Sequence, residues 1–283
     1  MCNQANRRNE MNTNISISRI FAACVLAMGA LPAAQAVDSV VDPNQPIAGY
    51  SQLQLSEQWW NWALSSPAAS NPLLDTTGAS AGTNNTGPVY FLGGNLGGIS
   101  VRSFNVPTGK PVFFPLVNVF DAEVPNDPTC GLSCALGQWL DSYNVQDAVQ
   151  LHATLDGKDL LLPFGSANHR QRSTAFFPLY IPADNVFGFT APYVGTLAGV
   201  SDGYWVGLDG LSIGKHTFVF GGTLPNTSGG VFTVEVVDFT NAVPEPETYA
   251  MLLAGLGTIG WVARRRRTTA AALRYTHNIC RGV

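Results

Sequence analysis

Three acidic residues, Glu57, Asp121 and Glu123, are the candidates for acid/base catalysis in this chain of 283 residues. Glycoside hydrolysis needs two carboxyl groups on either side of the scissile bond, one as the acid and the other as the base or nucleophile. A structural interpretation competes with this one: Glu57 would lie in the first turn of a helix, where the helix dipole favours an acid, and the other two would be loop charges. Sequence spacing does not place two carboxylates across a cleft, so we assign no catalytic residue and keep these three as candidates.

The segment from Asp121 to Asp127 is also the best candidate for a calcium site. Asp121, Glu123 and Asp127 offer three carboxylates on a loop that contains prolines, and carboxylate oxygens are ligands that Ca²⁺ prefers. The segment has no EF-hand pattern, and acids are common in turns that bind no metal. We therefore assign no cofactor and keep calcium as the alternative.

Nucleophilic catalysis has little support in the sequence. No Gly-x-Ser-x-Gly motif is present, and His152, His169 and His216 lie in or beside predicted strands, where packing is the ordinary role of a histidine. Residues 169–172, His-Arg-Gln-Arg, form the only cationic cluster between the two ends of the chain. They could contact an acidic glycan, although a solvated turn is the simpler interpretation.

The central part of the chain is typical of a mainly β fold. Glycine and proline are abundant, charge is sparse, and short β-branched or aromatic runs recur between turn residues. We predict a single β-sandwich or jelly-roll-like domain, in which Asp156-Gly157 forms a hairpin turn. The predicted strands are Val89–Leu92, Ile99–Val106, Val112–Val119, Ala148–Leu155, Ala175–Ile181, Tyr204–Leu208, His216–Phe220 and Val231–Phe239.

One Trp-rich helix is predicted against this β background, from Ser51 to Ser65. Ser51 and Gln54 have the spacing of a capping box, and bulky apolar residues recur on one face of the helix. Its tryptophans are expected to plug one end of the sandwich. A second short helix is predicted over Ser133–Tyr143, and Ser70–Gly87, rich in Asn, Thr, Gly and Ser, is predicted to be an exposed loop.

Residues 1–36 are typical of a signal peptide. Arg19 precedes an apolar run from Ile20 to Leu31, and Ala34 and Ala36 are the small residues that signal peptidase requires before its cleavage site. Met11 would begin a signal peptide of ordinary length, so it is the alternative start. We expect cleavage after Ala36 and export of the chain from Val37 onward.

Removal of both ends changes the charge of the chain. Between residues 37 and 247 there are six Lys or Arg and eighteen Asp or Glu residues, so this part has a net charge near −12, compared with −4 for the whole chain. Nucleic-acid binding needs a cationic surface, and so does attachment to anionic lipid. An acidic exported part argues against both.

Two of the five cysteines, Cys130 and Cys134, belong to the exported part. In an oxidising compartment their spacing favours a local disulfide, which would shape its short loop more than it stabilises the domain. A zinc site is the alternative. It would need two further ligands from the three histidines, none of which has the spacing of a metal ligand.

Residues 243–267 combine a Pro-Glu-Pro core, an apolar run and a basic cluster, in that order. The core residues are Pro244, Glu245 and Pro246, and the basic residues are Arg264, Arg265, Arg266 and Arg267. Prolines keep the core extended and accessible. The run of about fifteen apolar residues is shorter than the roughly twenty that span a bilayer, but snorkelling arginines make up part of the difference. Consecutive arginines act as a stop-transfer signal, which holds this end in the cytoplasm.

This segment resembles the PEP-CTERM sorting signal of exported proteins in Gram-negative bacteria, which an exosortase recognises. The resemblance implies export by the general secretion machinery and signal peptidase, an intermediate anchored in the inner membrane by a transmembrane helix, and cleavage near the Pro-Glu-Pro core. It also implies delivery to the cell surface or to an extracellular polysaccharide matrix. Residues 268–283 extend past the usual end of such signals and are an atypical cytoplasmic tail.

The exported part, residues 37–242, is similar to a group of uncharacterised secreted proteins. The shared tracts are Glu57–Trp60, Pro72–Gly78 and Pro111–Asn118, and this similarity implies no activity. We therefore expect a non-enzymatic structural or carbohydrate-associating protein. The alternative is a secreted hydrolase that acts on polysaccharide, with Glu57 and either Asp121 or Glu123 as its carboxylate pair.

Overall fold

The computed structural model describes residues 38–123, 135, 140–227, 230–244, 249–261 and 264. The predicted signal peptide therefore lies outside the described residues. Within them, ten strands form two sheets and confirm the predicted mainly β fold. The elements are helix α1 Gln52–Ser65 and strands β1 Tyr90–Phe91, β2 Gly98–Pro107, β3 Val112–Glu123, β4 Val149–Leu155, β5 Lys158–Asp159, β6 Arg170–Arg172, β7 Phe177–Ile181, β8 Gly195–Leu208, β9 Gly214–Thr227 and β10 Gly230–Val243.

The first sheet has the strand order β1-β3-β8-β6, with β7 also paired to β8. The second has the order β2-β10-β9-β4-β5. Strands β1 and β3 pair in parallel, as do β2 and β10, and the remaining pairs are antiparallel. The predicted hairpin is confirmed: Leu155 pairs with Lys158, and Asp156 and Gly157 between them have φ of 52° and 80°.

Two cores hold three layers together. Between the sheets, the Phe114 ring of β3 lies 4.5 Å from that of Phe220 on β9. On the other face of the first sheet, the Trp59 ring of α1 lies 5.3 Å from that of Trp205 on β8. The expectation that the tryptophans plug one end of the sandwich is wrong, because α1 packs flat on β3, β6, β7 and β8 as a third layer.

The start of α1 was predicted correctly from its capping-box residues, Ser51 and Gln54. The Ser51 side chain accepts from the Gln54 amide at 3.2 Å, and the Gln54 side chain accepts from the Ser51 amide at 2.9 Å, so the capping box is confirmed. Farther along the helix, Asn61 donates to the Pro178 carbonyl and accepts from the Tyr180 amide, both at 2.9 Å. These bonds satisfy the free edge of β7 and fix the helix on the sheet.

Strand β8 begins nine residues before the predicted Tyr204, at Gly195. Three of its glycines leave room for close neighbours on the face that α1 covers. An added Cβ would lie 2.8 Å from that of Leu179 at Gly199 and 2.6 Å from that of Asn118 at Gly203, and at Gly207 it would collide with Ile47. These glycines allow close packing within a strand, a role that the sequence does not reveal, and the predicted strand therefore began only at Tyr204.

Strand β3 continues to Glu123, where it still pairs with β8. Asp121 and Glu123 are therefore strand residues and not the loop charges expected from the sequence. Arg170–Arg172 likewise forms strand β6 instead of a solvated turn, because it pairs with Asp202–Tyr204 of β8.

The predicted exposed loop Ser70–Gly87 is confirmed as a segment without strands, but it is only partly exposed, because buried residues such as Leu73 and Asp75 alternate with exposed ones. The Asp75 carboxylate accepts from the amides of Thr77 and Gly78 at 2.9 Å and of Ser80 at 2.8 Å. Of the predicted helix Ser133–Tyr143, only Ala135 and the 3-10 turn Leu140–Tyr143 are described.

Candidate functional site

A cavity of about 350 Å³ lies between α1, the second half of β3 and the adjoining ends of β9 and β10. Its aromatic lining consists of Trp59, Trp60, Phe120, Tyr143, Phe187 and Phe232. Its other lining residues are Leu73, Asn95, Leu96, Asn118, Val119 and Leu224. The volume is at the lower end of the range for small-molecule sites, and among the described residues no charged side chain lines it.

Two lining residues carry buried hydrogen-bond donors without a partner. Trp60 is 5% exposed, and its indole nitrogen has no acceptor in the described part of the chain. The same holds for the side-chain nitrogen of Asn118. By contrast, the Trp59 indole donates to the Leu92 carbonyl at 2.8 Å. An unpaired buried donor costs about 1–3 kcal/mol, so these two mark a place where a hydrogen bond is missing.

Aromatic rings continue from the cavity to the surface. The Phe120 ring lies 4.5 Å from that of Trp60 and 5.7 Å from that of Phe187, and Phe187 stacks on Phe189 at 5.3 Å. Asn185 holds this loop, because its side chain donates to the carbonyls of Pro182 and Phe189 and accepts from the amides of Phe187 and Phe189. The half-exposed Phe187 and Phe189 are therefore part of an ordered rim.

The chain enters and leaves the sandwich at the end opposite the cavity. The Asp38 carboxylate accepts from the Ser212 amide at 2.8 Å and from its hydroxyl at 2.7 Å. Next to it, the Leu211 carbonyl accepts from Thr108, whose amide donates to the Val243 carbonyl at 2.8 Å. Phe232 in the cavity and Val243 lie eleven residues apart on β10, which corresponds to about 36 Å of strand.

Aspartates in the interior engage the three arginines of residues 38–244. Arg102 on β2 and Asp238 on β10 are cross-strand neighbours in the second sheet, only 1% and 0% exposed, and they form two hydrogen bonds of 2.7 Å. Burial raises the pKa of Asp238, and the Arg102 guanidinium opposes this effect. On the first sheet, Arg170 and Arg172 lie 2.6 and 3.6 Å from Asp202. Arg172 lies closer to the half-exposed Asp141, at 2.6 Å, so each of the three arginines is paired with at least one aspartate.

None of the three candidate catalytic carboxylates lines the cavity in the described part of the structure. Glu57 lies in the second turn of α1, so the expectation that it occupies the first turn, where the helix dipole favours an acid, is wrong. Burial raises its pKa. Burial also raises the pKa of Asp121, although the Ala122 amide, which donates to it at 2.7 Å, opposes this. Asp121 and Glu123 are two residues apart on β3. The carboxylate pair stays a prediction.

The metal and disulfide predictions depend on residues that are not described. Asp127, the third calcium candidate, lies outside the described residues, as do Cys130 and Cys134. Within the described ranges, no three His, Cys, Asp or Glu side chains are grouped so that they could hold a metal ion.

The histidines form structural contacts. His152 on β4 pairs with Glu235 on β10 at 3.1 Å, and His169 bonds to the Trp205 carbonyl at 2.9 Å. His216 bonds to Asp156 at 2.8 Å and to the Ser212 carbonyl at 3.0 Å. The Ser212 hydroxyl lies 3.4 Å from Nε2 of His216, but it donates to Asp38 at 2.7 Å. Because Nε2 also lies 3.0 Å from the Ser212 carbonyl, which can only accept, this nitrogen is engaged as a donor and is not a free base for the hydroxyl.

The sorting segment follows directly from β10. Pro244 is partly buried at the end of the sandwich, and the rest of the Pro-Glu-Pro core lies outside the described residues. Residues 249–261 are helical, and their large apolar side chains are exposed, as in Met251 at 75%. Of the basic cluster, only Arg264 is described. None of the helices within the described ranges reaches the length and apolarity of a membrane span.

Residues 242–267 match the family model described as the PEP-CTERM protein-sorting motif. The match confirms the resemblance stated from the sequence, and it includes the whole predicted segment 243–267. It supports export through the exosortase pathway, with exosortase as the processing partner and the cell surface as the destination. No curated protein and no solved structure matches the chain.

Sequence reasoning did not find the cavity. Its lining comes from segments far apart in the chain, which only the packing of α1 on the first sheet brings together.

Proposed function

We propose that this chain is an exported protein that exosortase processes near Pro244–Pro246 and delivers to the cell surface or extracellular matrix. There its two-sheet body acts as a non-enzymatic, polysaccharide-associating module. The observation that carries the proposal is the sorting motif at residues 242–267, which begins where β10 ends.

The position of the chain ends supports this route. Asp38, two residues after the predicted signal-peptidase site, and Val243, immediately before the Pro-Glu-Pro core, lie at one end of the body, bridged through Ser212, Leu211 and Thr108. A precursor held by apolar segments at both ends can therefore present a single end to the membrane. The motif then leaves the body beside the membrane, where a membrane-embedded protease can reach it.

The body offers a better basis for binding than for hydrolysis. Its cavity is lined by aromatic and amide side chains, and Glu57, Asp121 and Glu123 are not among the lining residues in the described structure. The raised pKa of Glu57 and of Asp121 is what a general acid needs, so polysaccharide hydrolysis is the second candidate. Glu57→Gln and Asp121→Asn would abolish reducing-sugar release by a hydrolase and leave a binding protein unaffected.

Fractionation of cells with and without exosortase tests the route. With exosortase, we expect a chain in the surface or matrix fraction that has lost residues 1–36 and the apolar run after Pro246. Without it, we expect a longer chain in the membrane fraction. Pro244→Ala with Glu245→Ala should give the longer chain even when exosortase is present.

A matched control makes two changes in the same linker outside the core. Glu247→Ala with Thr248→Ala should be processed like the parent chain, because the Pro-Glu-Pro core is intact. Equal processing of the core variant and this control would contradict the sorting role of Pro244 and Glu245.

A further inference from the structure

We infer that the cavity is the binding site for a neutral sugar ring, so that the polysaccharide association proposed above takes place there. The inference rests on that proposed function and assigns it to a place in the fold. Four properties of the site support it: its aromatic lining, its unpaired donors, its lack of charge and its position.

The aromatic lining suits a ligand with flat apolar faces. Trp60, Phe120 and Phe187 form a continuous series of rings with centroids 4.5 and 5.7 Å apart. The electron-rich face of an aromatic ring attracts groups with partial positive charge, such as the axial C–H groups of a pyranose. Because hydrogen bonds of Asn185 fix the loop that carries Phe187 and Phe189, little ordering entropy would be lost on binding.

The polar groups favour a ligand that accepts hydrogen bonds. The nitrogens of Trp60 and Asn118 have no partner in the described structure and no contact with solvent. Both residues line the cavity, so a ligand that accepts hydrogen bonds would satisfy these nitrogens once the side chains turn them toward it. An acyl chain offers no acceptor and would leave both unsatisfied. A sugar ring offers a hydroxyl oxygen for each. The other lining amide, Asn95, is already engaged with Gly98 and Glu235.

The charge distribution disfavours anionic ligands at the site. Among the described residues no charged side chain lines the cavity, and the surrounding body carries far more acids than bases. Burial of a carboxylate or phosphate in such a cavity would cost several kcal/mol without a cation to offset it. An acidic sugar would carry this cost, whereas a neutral sugar does not.

The position keeps the site accessible. Phe232 in the cavity lies about 36 Å along β10 from Val243, where the sorting segment begins. The cavity therefore lies at the opposite end of β10 from the sorting segment, so an anchor at that segment would not cover it.

Binding of the mature exported protein to extracted matrix polysaccharide tests the inference. The probes are the polysaccharide of the producing cells, the neutral mono- and disaccharides released from it by acid hydrolysis, and Nile red as an apolar probe. Binding is followed by tryptophan fluorescence, since Trp59 and Trp60 line the cavity. Three variants change the cavity. Phe187→Ala removes a partly exposed ring, and Asn118→Leu removes a hydrogen-bond donor while keeping a side chain of similar size. Leu96→Trp places a larger side chain at a lining position that is 41% exposed.

We expect each of these variants to weaken saccharide binding by about tenfold or more, the effect of one lost hydrogen bond or stacking contact. Phe239→Ala is the matched control, because Phe239, 49% exposed on the second sheet, resembles Phe187, 37% exposed, but does not line the cavity. It should bind like the parent. Urea midpoints within error of the parent show that a variant is folded, and Leu96→Trp tests the cavity if Asn118→Leu does not fold.

Three results would overturn the inference. If the parent and all cavity variants bind polysaccharide equally, the association takes place elsewhere and the proposed function stands. If Nile red binding depends on the cavity while no saccharide binds, the ligand is apolar. If the parent protein binds no polysaccharide at all, both the inference and the proposed polysaccharide association fail, although sorting by exosortase is unaffected.

Discussion

Separate replacement of Arg102 and Asp238 should destabilise the protein far more than their joint replacement by apolar residues. Arg102 on β2 and Asp238 on β10 form a buried pair with two hydrogen bonds of 2.7 Å, and Arg102 donates a third, also 2.7 Å, to the Gly93 carbonyl. Arg102→Met or Asp238→Leu would leave one charge buried without its partner, which costs about 3–5 kcal/mol. The double variant would lose only the bond to Gly93, about 1–3 kcal/mol.

Urea unfolding of the mature protein, followed by tryptophan fluorescence, gives the free energy of each variant. If the two single losses added, the double variant would lose about 6–10 kcal/mol, which approaches the whole stability of many domains. We predict instead that it is more stable than either single variant. A double variant at the additive value would refute the reasoning, since it would mean that neither charge depends on the other.

Three further predictions concern packing, pH and capping. Gly203→Ala should lower the urea midpoint and weaken saccharide binding, because its Cβ would lie 2.6 Å from that of Asn118; unchanged values of both would contradict the role of this glycine. Burial lowers the pKa of His216, but its hydrogen bonds to Asp156 and to a backbone carbonyl outweigh this and raise it. Protonated His216 therefore stabilises the folded state. This stabilisation is complete below the ordinary histidine pKa and is lost as pH rises through the raised pKa that His216 has in the folded protein. His216→Gln should therefore flatten the change in urea midpoint from pH 6 to pH 9. Ser51→Ala should cost about 1 kcal/mol in the same assay by removing the cap of α1, and Ser51→Asp should cost less.

The parts of the fold that depend on neighbours in sequence were predictable. Ser51 and Gln54 identify the start of α1 because a capping box is a contact over three residues, and Asp156-Gly157 identifies a hairpin because both residues tolerate positive φ. The sorting motif is also local, since a processing enzyme reads it as an extended peptide.

The parts that depend on distant residues were not predictable. The first nine residues of β8 were not predicted as strand, because the neighbours that Gly199 and Gly203 admit, Leu179 and Asn118, are distant in sequence. Arg170 suggests a solvated turn because its partner, Asp202, is 32 residues away. The cavity combines both difficulties, because the helix that forms one wall was expected at an end of the sandwich and not on its face.

The central claim is that the chain is exported and then cut where β10 gives way to the sorting segment. The mass of the chain recovered from the surface or matrix fraction measures this most directly. The account predicts a single species that begins after Ala36 and ends within or close to Pro244–Pro246, present with exosortase and replaced by a longer membrane-bound species without it. A surface species that keeps the apolar run and Arg264–Arg267, whether or not exosortase is present, would contradict it.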